Sequence, residues 1–525
     1  MRKITGLKLA PGEDEGKLAR LAARALGVKP EDMEELRILK KSLDARKKGG
    51  IHWVYSVAVR LRGDPPEQPE GYMVPLLPAP ERRPVIAGFG PAGMFAALVL
   101  AKAGQRPIIL ERGPDAGTRK RQIEAFRNGG PFDPECNVQF GEGGAGTFSD
   151  GKLNTGTHDP RIQWVLEQFA AHGAKPSVVY DAKPHVGTDV LVNVVQSIRR
   201  EVIALGGEVR FCHRLTGLRT EGGALRALEV SSADGDYVLP CQSLILAVGH
   251  SARDTFEMLL AQNIPMEPKA FSMGARIEHR QADIDLAQYG RPRGKLPPAD
   301  YTLSVHLPDG TSAYTFCMCP GGEVFAAASE EGGVVTNGMS YSGRAGENAN
   351  AALLVTLHPE DFPYGGPLGG MYWQRDIECA AFGYGGGNYA AVSQRVGDFL
   401  ARRPSSGPGD VKPSYKPAVR WGELREVLPE RVTRVMASAL PELGKKLRGF
   451  DSPDAVLTAP ETRSSSPVRI LRGADKCSAL RGLYPCGEGA GYAGGITSAA
   501  VDGMRCAEAV LAALSTGEPQ QNGQG

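Results

Sequence analysis

The 525-residue sequence lacks a CxxC pair, a long uninterrupted apolar run and an excess of either charge, and each absence narrows the field. Nine cysteines are scattered along the chain, and the one close pair, Cys317 and Cys319, has no second pair to complete a zinc site. No metal is expected, and reduced, mostly buried thiols point to a cytoplasmic protein. Sixty-one Lys and Arg against 59 Asp and Glu leave a net charge of +2, which gives no general attraction to nucleic acid. The opening "MRKITGLKLAPGEDEG" has no apolar signal core. The most apolar stretch, 85–104, contains Pro91 and Lys102 and begins as a strand, so no membrane span is expected.

A phosphate-binding lysine is missing too. In "GEGGAGTFSDGK" (141–152), Gly141 and Gly146 have the spacing of a P-loop. Thr147 stands where the lysine belongs and Lys152 comes too late, so the main cationic contact to a triphosphate is lost. What is abundant is glycine, at 67 residues nearly twice the usual share. Glycine is favoured where backbone turns with positive φ or approaches a ligand closely.

The length predicts several domains. Residues 1–63 read as a small α+β domain, with a helix over "EGKLARLAARALG" and strands over "LRILKKSLDARKK" and "IHWVYSVAVRL". Lys40, Lys41, Arg46, Lys47 and Lys48 could line an RNA-facing edge, and a solvated hairpin edge explains them more simply. A proline-rich linker spans 64–83. From 84 the pattern becomes strand, glycine turn, helix, strand, giving the first part of a Rossmann-like domain over 84–269. Residues 270–450 read as an inserted, largely β substrate or cap region, in which "SQRVGDFLARR" and "WGELREVLPERVTRVMASALPELGKKL" are helical. Residues 451–514 return to the first domain, and 515–525 read as a disordered tail.

The strongest local signal is "PVIAGFGPAGMFAALVLAKAGQRPIILER". Gly88 permits the tight turn, Gly90 admits a pyrophosphate, and Gly93 lets helix and strand pack closely. The helix beginning at Pro91 and Ala92 offers its N-terminus to phosphate. Glu111 ends the second strand, where an acid accepts hydrogen bonds from ribose hydroxyls. This is a dinucleotide site.

Further segments resemble the two-dinucleotide-fold flavoproteins. "LYPCGEGAGYAGGITSAAVDGMRCAEAVLAAL" is similar to their C-terminal motif, which implies that Glu488, after Gly487, takes the ribityl chain. The helix from Gly495 and Ile496 then points its N-terminus at the flavin N1–O2 edge. The 141–152 loop resembles the one that packs along the ribityl and isoalloxazine, through Gly143, Gly144, Gly146, Thr147 and Lys152. "SLILAVGHSARDT" resembles the strand end that closes the FAD domain, at Gly249. Arg112 follows the acid, and Arg119 stands at a spacing used to reach the pyrophosphate.

Together with "TFCMCPGG" and "ETRSSSPVRI", these motifs resemble the uncharacterised FAD-dependent dehydrogenase-like (NAD(FAD)-utilising) proteins of bacteria. The resemblance implies an α/β fold with FAD as cofactor, and it leaves the substrate open. No second strand–GxGxxG–helix is present for a nicotinamide, so substrate is expected to dock on the flavin itself. The reading is an FAD-dependent oxidoreductase (dehydrogenase or reductase) moving hydride between flavin N5 and a small organic substrate. An NAD(P)H-fed reductase or monooxygenase is one alternative, and an RNA-associated flavoprotein using the N-terminal domain is another. Candidate catalytic groups are Arg463, a bidentate anchor for an anionic substrate, Lys152 and His250. Small-molecule substrate, no membrane and no nucleic acid is the expected partner set, and the sequence leaves oligomeric state undetermined.

Overall fold

The computed structural model describes residues 1–46, 50–65 and 71–515. At the N-terminus, strands Arg2–Leu9, His52–Leu61 and Met33–Asp44 form an antiparallel sheet with His52–Leu61 in the centre. Strand alternation sends Tyr55, Val57, Val59 and Leu61 to one face, where they pack on Leu18 and Ala22 of helix Lys17–Leu26. This unit docks on the rest through Lys41, whose N–H donates to the Tyr180 carbonyl at 2.8 Å and whose carbonyl accepts from Ala182 N–H at 2.8 Å. The lysine edge is partly spoken for. Lys41 Nζ lies 2.6 Å from Glu15 and over the Trp53 ring, and Arg46 pairs with Asp44. Lys47 and Lys48 fall outside the described residues. Of the linker, residues 71–83 carry no regular element, and Leu77 N–H bonds the Ala103 carbonyl at the end of the following helix.

The centre is a five-stranded parallel sheet in the order Leu483–Pro485, Leu244–Leu246, Val85–Ala87, Ile108–Glu111, Glu208–Phe211. Its two faces follow the period of two. Ile86, Ile109 and Ile245 face helices Pro91–Lys102, Thr188–Ala204 and Ile496–Ser515. Val85, Ala87, Leu110 and Leu244 face the antiparallel sheet of His213–Glu221, Ala224–Ser232 and Tyr237–Pro240. Buried on both sides, these strands are almost wholly apolar.

Residues 271–461 build a seven-stranded sheet in which Phe271–Arg280 lies between Asn348–Leu357 and Val456–Glu461. Helix Glu430–Lys446 covers one face through Val432, Val435, Met436, Leu440 and Leu443. Four sequence expectations change here. Helices Gln281–Tyr289 and Gly369–Gly385 interrupt the region read as largely β. "SQRVGDFLARR" is not helical throughout: strand Ala391–Arg395 runs into it, with Ser393 and Gln394 buried in the sheet, and only Val396–Leu400 turns helical. The long helix starts at Glu430, after Pro429, not at Trp421. Strand Val456–Glu461, read with the C-terminal segment, is hydrogen-bonded within this sheet. Ser515 ends the last helix, and the expected tail beyond it lies outside the described residues. Among the described residues, no helix is long and apolar enough to cross a membrane.

Candidate functional site

A cavity of about 460 Å³ opens at the C-terminal ends of the parallel strands, touching Ala87, Glu111, Ala247 and Cys486. Its construction begins at the glycine turn. Gly88 has φ +96°, and a Cβ there would lie 2.3 Å from the Ala247 carbonyl oxygen. A Cβ on Gly93 would lie 1.9 Å from the Gly88 carbonyl oxygen, so helix Pro91–Lys102 sits as close to its strand as backbone allows. Gly503 fixes the next layer, because a Cβ there would lie 2.0 Å from the Ala92 oxygen. The carboxylate of Glu111 accepts from Phe89 N–H at 2.8 Å, Gly141 N–H at 2.9 Å and Gly113 N–H at 3.0 Å. A carboxylate accepts about four hydrogen bonds, so Glu111 ties the turn to the glycine loop and keeps one acceptor site for the cavity.

The loop "GEGGAGTFSDGK" lies directly on that turn. Gly143 N–H donates to the Phe89 carbonyl at 2.8 Å, and a Cβ on Gly144 would meet Gly90 Cα at 2.9 Å. Arg119 holds the loop from beneath. It is fully buried, donating from Nε to Asn137 and from Nη1 to Glu142 and Gly144 carbonyls at 2.8–2.9 Å. Burial lowers its guanidinium to about 10. Arg119 was expected at the pyrophosphate. The structure instead puts it off the cavity wall, along with Gly93, Gly143 and Thr147. These four shape the backbone behind the wall. Arg112 lines the wall with its fork closed by Glu135 at 2.7 and 2.9 Å.

Gly88, Gly90, Pro91, Ala92, Glu111, Gly144, Gly146 and Lys152 come together with Gly249, His250, Arg463, Gly487, Glu488, Gly495 and Ile496 around one space. Two helix N-termini, at Gly90–Pro91 and Gly495–Ile496, open onto it. Gly249, at φ +74°, would project a Cβ into open space there, so a side chain would narrow the cradle. Burial pushes the Glu488 carboxyl from the ordinary 4.5 up to about 7, against Lys269. The His250 Nδ1 is 3.6 Å from Glu488, and burial, with Arg463 and Arg253 nearby, lowers its imidazole to about 3. Burial and the neighbouring arginines thus favour the neutral imidazole of His250, which does not favour a cationic proton donor there. Lys152 donates to the Met318 carbonyl and lies 3.4 Å from Asp150; burial lowers its ammonium pKa, but Asp150 together with Cys317 and Cys319 raises it on balance.

Arg463 is already engaged. Its Nε and Nη2 donate to the Glu378 carboxylate at 2.9 and 2.6 Å, and Nη1 donates to Ser329. The fork expected to clamp a substrate anion is closed by a protein carboxylate. Glu461, two residues earlier, lines the cavity with Arg276 Nε 2.6 Å away, and burial lifts it to about 7.

The Glu488 shift has a stability consequence. Between pH 4.5 and about 7 the folded flavin-free protein keeps a proton that the unfolded chain has released. Stability contributed at this site therefore falls as pH rises through that window. Glu488→Gln is expected to raise the unfolding free energy of flavin-free protein in urea at pH 8 by about 1–3 kcal/mol, and to leave it unchanged at pH 4.

Comparison with known proteins supplies the relatives. Residues 270–464 match the family described as "FAD-dependent protein, C-terminal domain-like", and residues 1–60 match a domain of unknown function. Over 529 residues, covering 97% of this chain and 98% of the other, the sequence is 45% identical to an uncharacterized protein of Clostridium beijerinckii. The chain belongs to the family of that protein. Similar solved structures include a geranylgeranyl bacteriochlorophyll reductase-like protein from Thermoplasma acidophilum, at 12% identity and TM-score 0.37, covering 83% of this chain and 79% of that one. A flavin-dependent brominase is similar at 12% identity and TM-score 0.36, covering 82% and 79%. At these scores neither carries an argument about the present chain.

Sequence reasoning missed the charged partners that hold Asp150 and Arg463 at this site. Asp150, fully buried, accepts from Arg344 at 2.8 Å and from Ser340, and lies 3.9 Å from His185, which burial and Arg344 lower to about 4. Arg253 shares Glu378 with Arg463, at 2.9 Å to each oxygen. No local signal marks these partners, which lie far apart in the chain. Cys486, Asp502 and Cys506 have their ligand atoms within 4.8 Å of one another, but Arg472 holds Asp502 at 2.6 and 3.0 Å and already supplies the positive charge a cation would bring.

Proposed function

We propose that this chain is an FAD-dependent oxidoreductase that moves hydride between the flavin and a small organic substrate. The supporting observation is one continuous cavity running from the Gly88–Gly93 turn and Glu111, past the Gly144–Gly146 loop, to Glu488 and the N-terminus of helix Ile496–Ser515. The matched FAD-dependent family profile is consistent with it. In this reading Glu111 takes ribose hydroxyls, the helix starting at Pro91 faces the pyrophosphate, and Glu488 holds the ribityl chain. When bound, FAD supplies reversible hydride transfer at the isoalloxazine N5. The helix beginning at Ile496 offers its positive end and free N–H groups to developing negative charge. Lys152 stays cationic beside Asp150, and the bonds of Arg119 keep the glycine loop in place behind the wall. Tyr301, Phe316 and Met318, with Glu461, line the part of the cavity left for substrate.

The visible spectrum of the purified chain tests this reading. A flavin spectrum is expected, and Glu488→Ala is expected to weaken FAD retention roughly tenfold or more, as loss of a hydrogen bond to a charged group implies. Wild-type occupancy in that variant would remove Glu488 from the ribityl. A colourless protein that takes up no added FAD would overturn the proposal. Anaerobic addition of NADPH or NADH then separates the electron sources: rapid bleaching means a nicotinamide donor, and an unchanged spectrum means reduction by the substrate itself.

A further inference from the structure

The segment "TFCMCPGG" (315–322) has no task in the function proposed above. Strand Ser312–Cys319 pairs with Asn348–Leu357, and the register shifts between Phe316 and Cys319. At this bulge Cys317 takes φ +43°, a left-handed conformation that a residue with a Cβ adopts only when its surroundings impose it. The surroundings are specific. Arg276 Nη1 donates to the Cys317 carbonyl at 2.8 Å, Lys152 Nζ donates to the Met318 carbonyl, and Cys319 Sγ donates to the Cys317 carbonyl at 3.2 Å. Two cations are thus fixed on consecutive carbonyls, those of Cys317 and Met318. Cys317 lines the cavity and is part-exposed, whereas Cys319 is fully buried beside it.

We propose that Cys317 and Cys319 form a dithiol exchange site on the cavity wall that takes a small organic disulfide, with Cys317 attacking and Cys319 resolving. The bulge is what makes the pair usable, because it places Cys317 on the cavity lining and keeps Cys319 off it, with the Cys319 thiol bonded to the Cys317 carbonyl. Arg276 and Lys152 favour a thiolate at Cys317, while Asp150, Glu461, Glu488 and burial oppose it. The neighbouring Cys319 thiol, then Arg276 and Lys152, hold the Cys317 thiol below its ordinary value, and burial raises Cys319. One sulfur is the nucleophile and the other keeps its proton until it is needed.

The step balances without any further reactant. The Cys317 thiolate attacks one sulfur of the disulfide, a mixed S–S bond forms, and the first thiolate leaves, taking the proton of Cys319. The sulfur of Cys319 then attacks that of Cys317, the intramolecular disulfide forms, and the second thiolate leaves to be protonated by water. The small disulfide is reduced to two thiols and the cysteine pair is oxidised. The site depends on the chain's own residues and stands whether or not FAD binds.

The test uses the full-length chain and 2,2′-dithiodipyridine near pH 6, following released thione by absorbance and mapping the products by peptide mass spectrometry. The expected parent reaction is a fast release of two thiones per chain, ending in a Cys317–Cys319 disulfide. Cys319→Ser is expected to release one and retain the adduct on Cys317. Cys317→Ser is expected to lose the fast phase, slowing roughly tenfold or more to the rate of ordinary thiols such as exposed Cys212 and Cys379. A fast phase in the parent that maps to Cys212 or Cys379, or an adduct on Cys317 that never resolves, would overturn the proposal without any variant. The visible spectrum of the same sample separates the two ideas. A colourless protein with the fast phase intact defeats only the FAD reading, and a yellow protein without it defeats only the dithiol.

Discussion

Glu378→Ala is expected to destabilise the protein by about 3–5 kcal/mol, the cost of stranding buried charge when its partner is removed. Arg253, Glu378 and Arg463 have side chains exposed to only 1%, 1% and 3%. The carboxylate accepts two bonds from each guanidinium and one from Thr462 at 2.6 Å. Burial alone would raise its pKa, yet Arg253 and Arg463 bring it down to about 2. Its stabilisation is therefore present above pH 4.5 and lost as pH falls toward 2. Among the described residues, removing the carboxylate leaves the two buried guanidiniums with the partly exposed Glu330 as their remaining carboxylate, beside the neutral Ser329 and Gln374. Urea denaturation at neutral pH measures the loss, and a change below about 1 kcal/mol would mean that solvent, not Glu378, balances the arginines. Replacing all three residues by apolar ones of similar volume should recover much of the deficit, because the desolvation cost then disappears along with the attraction.

Gly93→Val acts on backbone rather than charge, and is expected to abolish FAD retention. The first added carbon would stand 1.9 Å from the Gly88 carbonyl oxygen and 3.2 Å from Ile86 Cγ2. Neither the strand nor helix Pro91–Lys102 can yield easily, since the helix is buried along almost its whole length and Gly503 clamps it from the other side. The helix must move outward, opening the turn that Glu111 and the glycine loop hold. Such overpacking costs about 3 kcal/mol. The checks are flavin content after gel filtration and the melting temperature of the flavin-free protein. Full flavin occupancy with an unchanged melting temperature would show that the close helix–strand contact is dispensable.

The glycine turn and the parallel sheet were legible because their signals are local. Gly88, Gly90 and Gly93 lie within six positions of one another, and their tasks follow from the absence of a Cβ. The period of two in Tyr55, Val57 and Val59 likewise assigns the N-terminal sheet its buried face. Residues 393–395 fold as strand although "SQRVGDF" carries helix-compatible residues, because a pairing with Val456–Glu461 across some 60 positions overrides local preference. Arg463 shows the limit of motif reasoning. The sequence marked an arginine in a polar segment, but its partner Glu378 lies 85 residues away on a helix with no distinguishing pattern.

By itself, then, the amino-acid sequence determined the places where backbone must turn, approach and alternate, because those constraints act between residues a few positions apart. Only the tertiary structure decided which charges are spent on one another. Arg119 serves carbonyls behind the cavity wall, Arg463 serves Glu378, and Arg276 and Lys152 serve the Cys317 and Met318 carbonyls. Those pairings depend on how strands and helices distant in the chain pack, and burial then sets their strength, since a charge withdrawn from water must find its partner inside the protein.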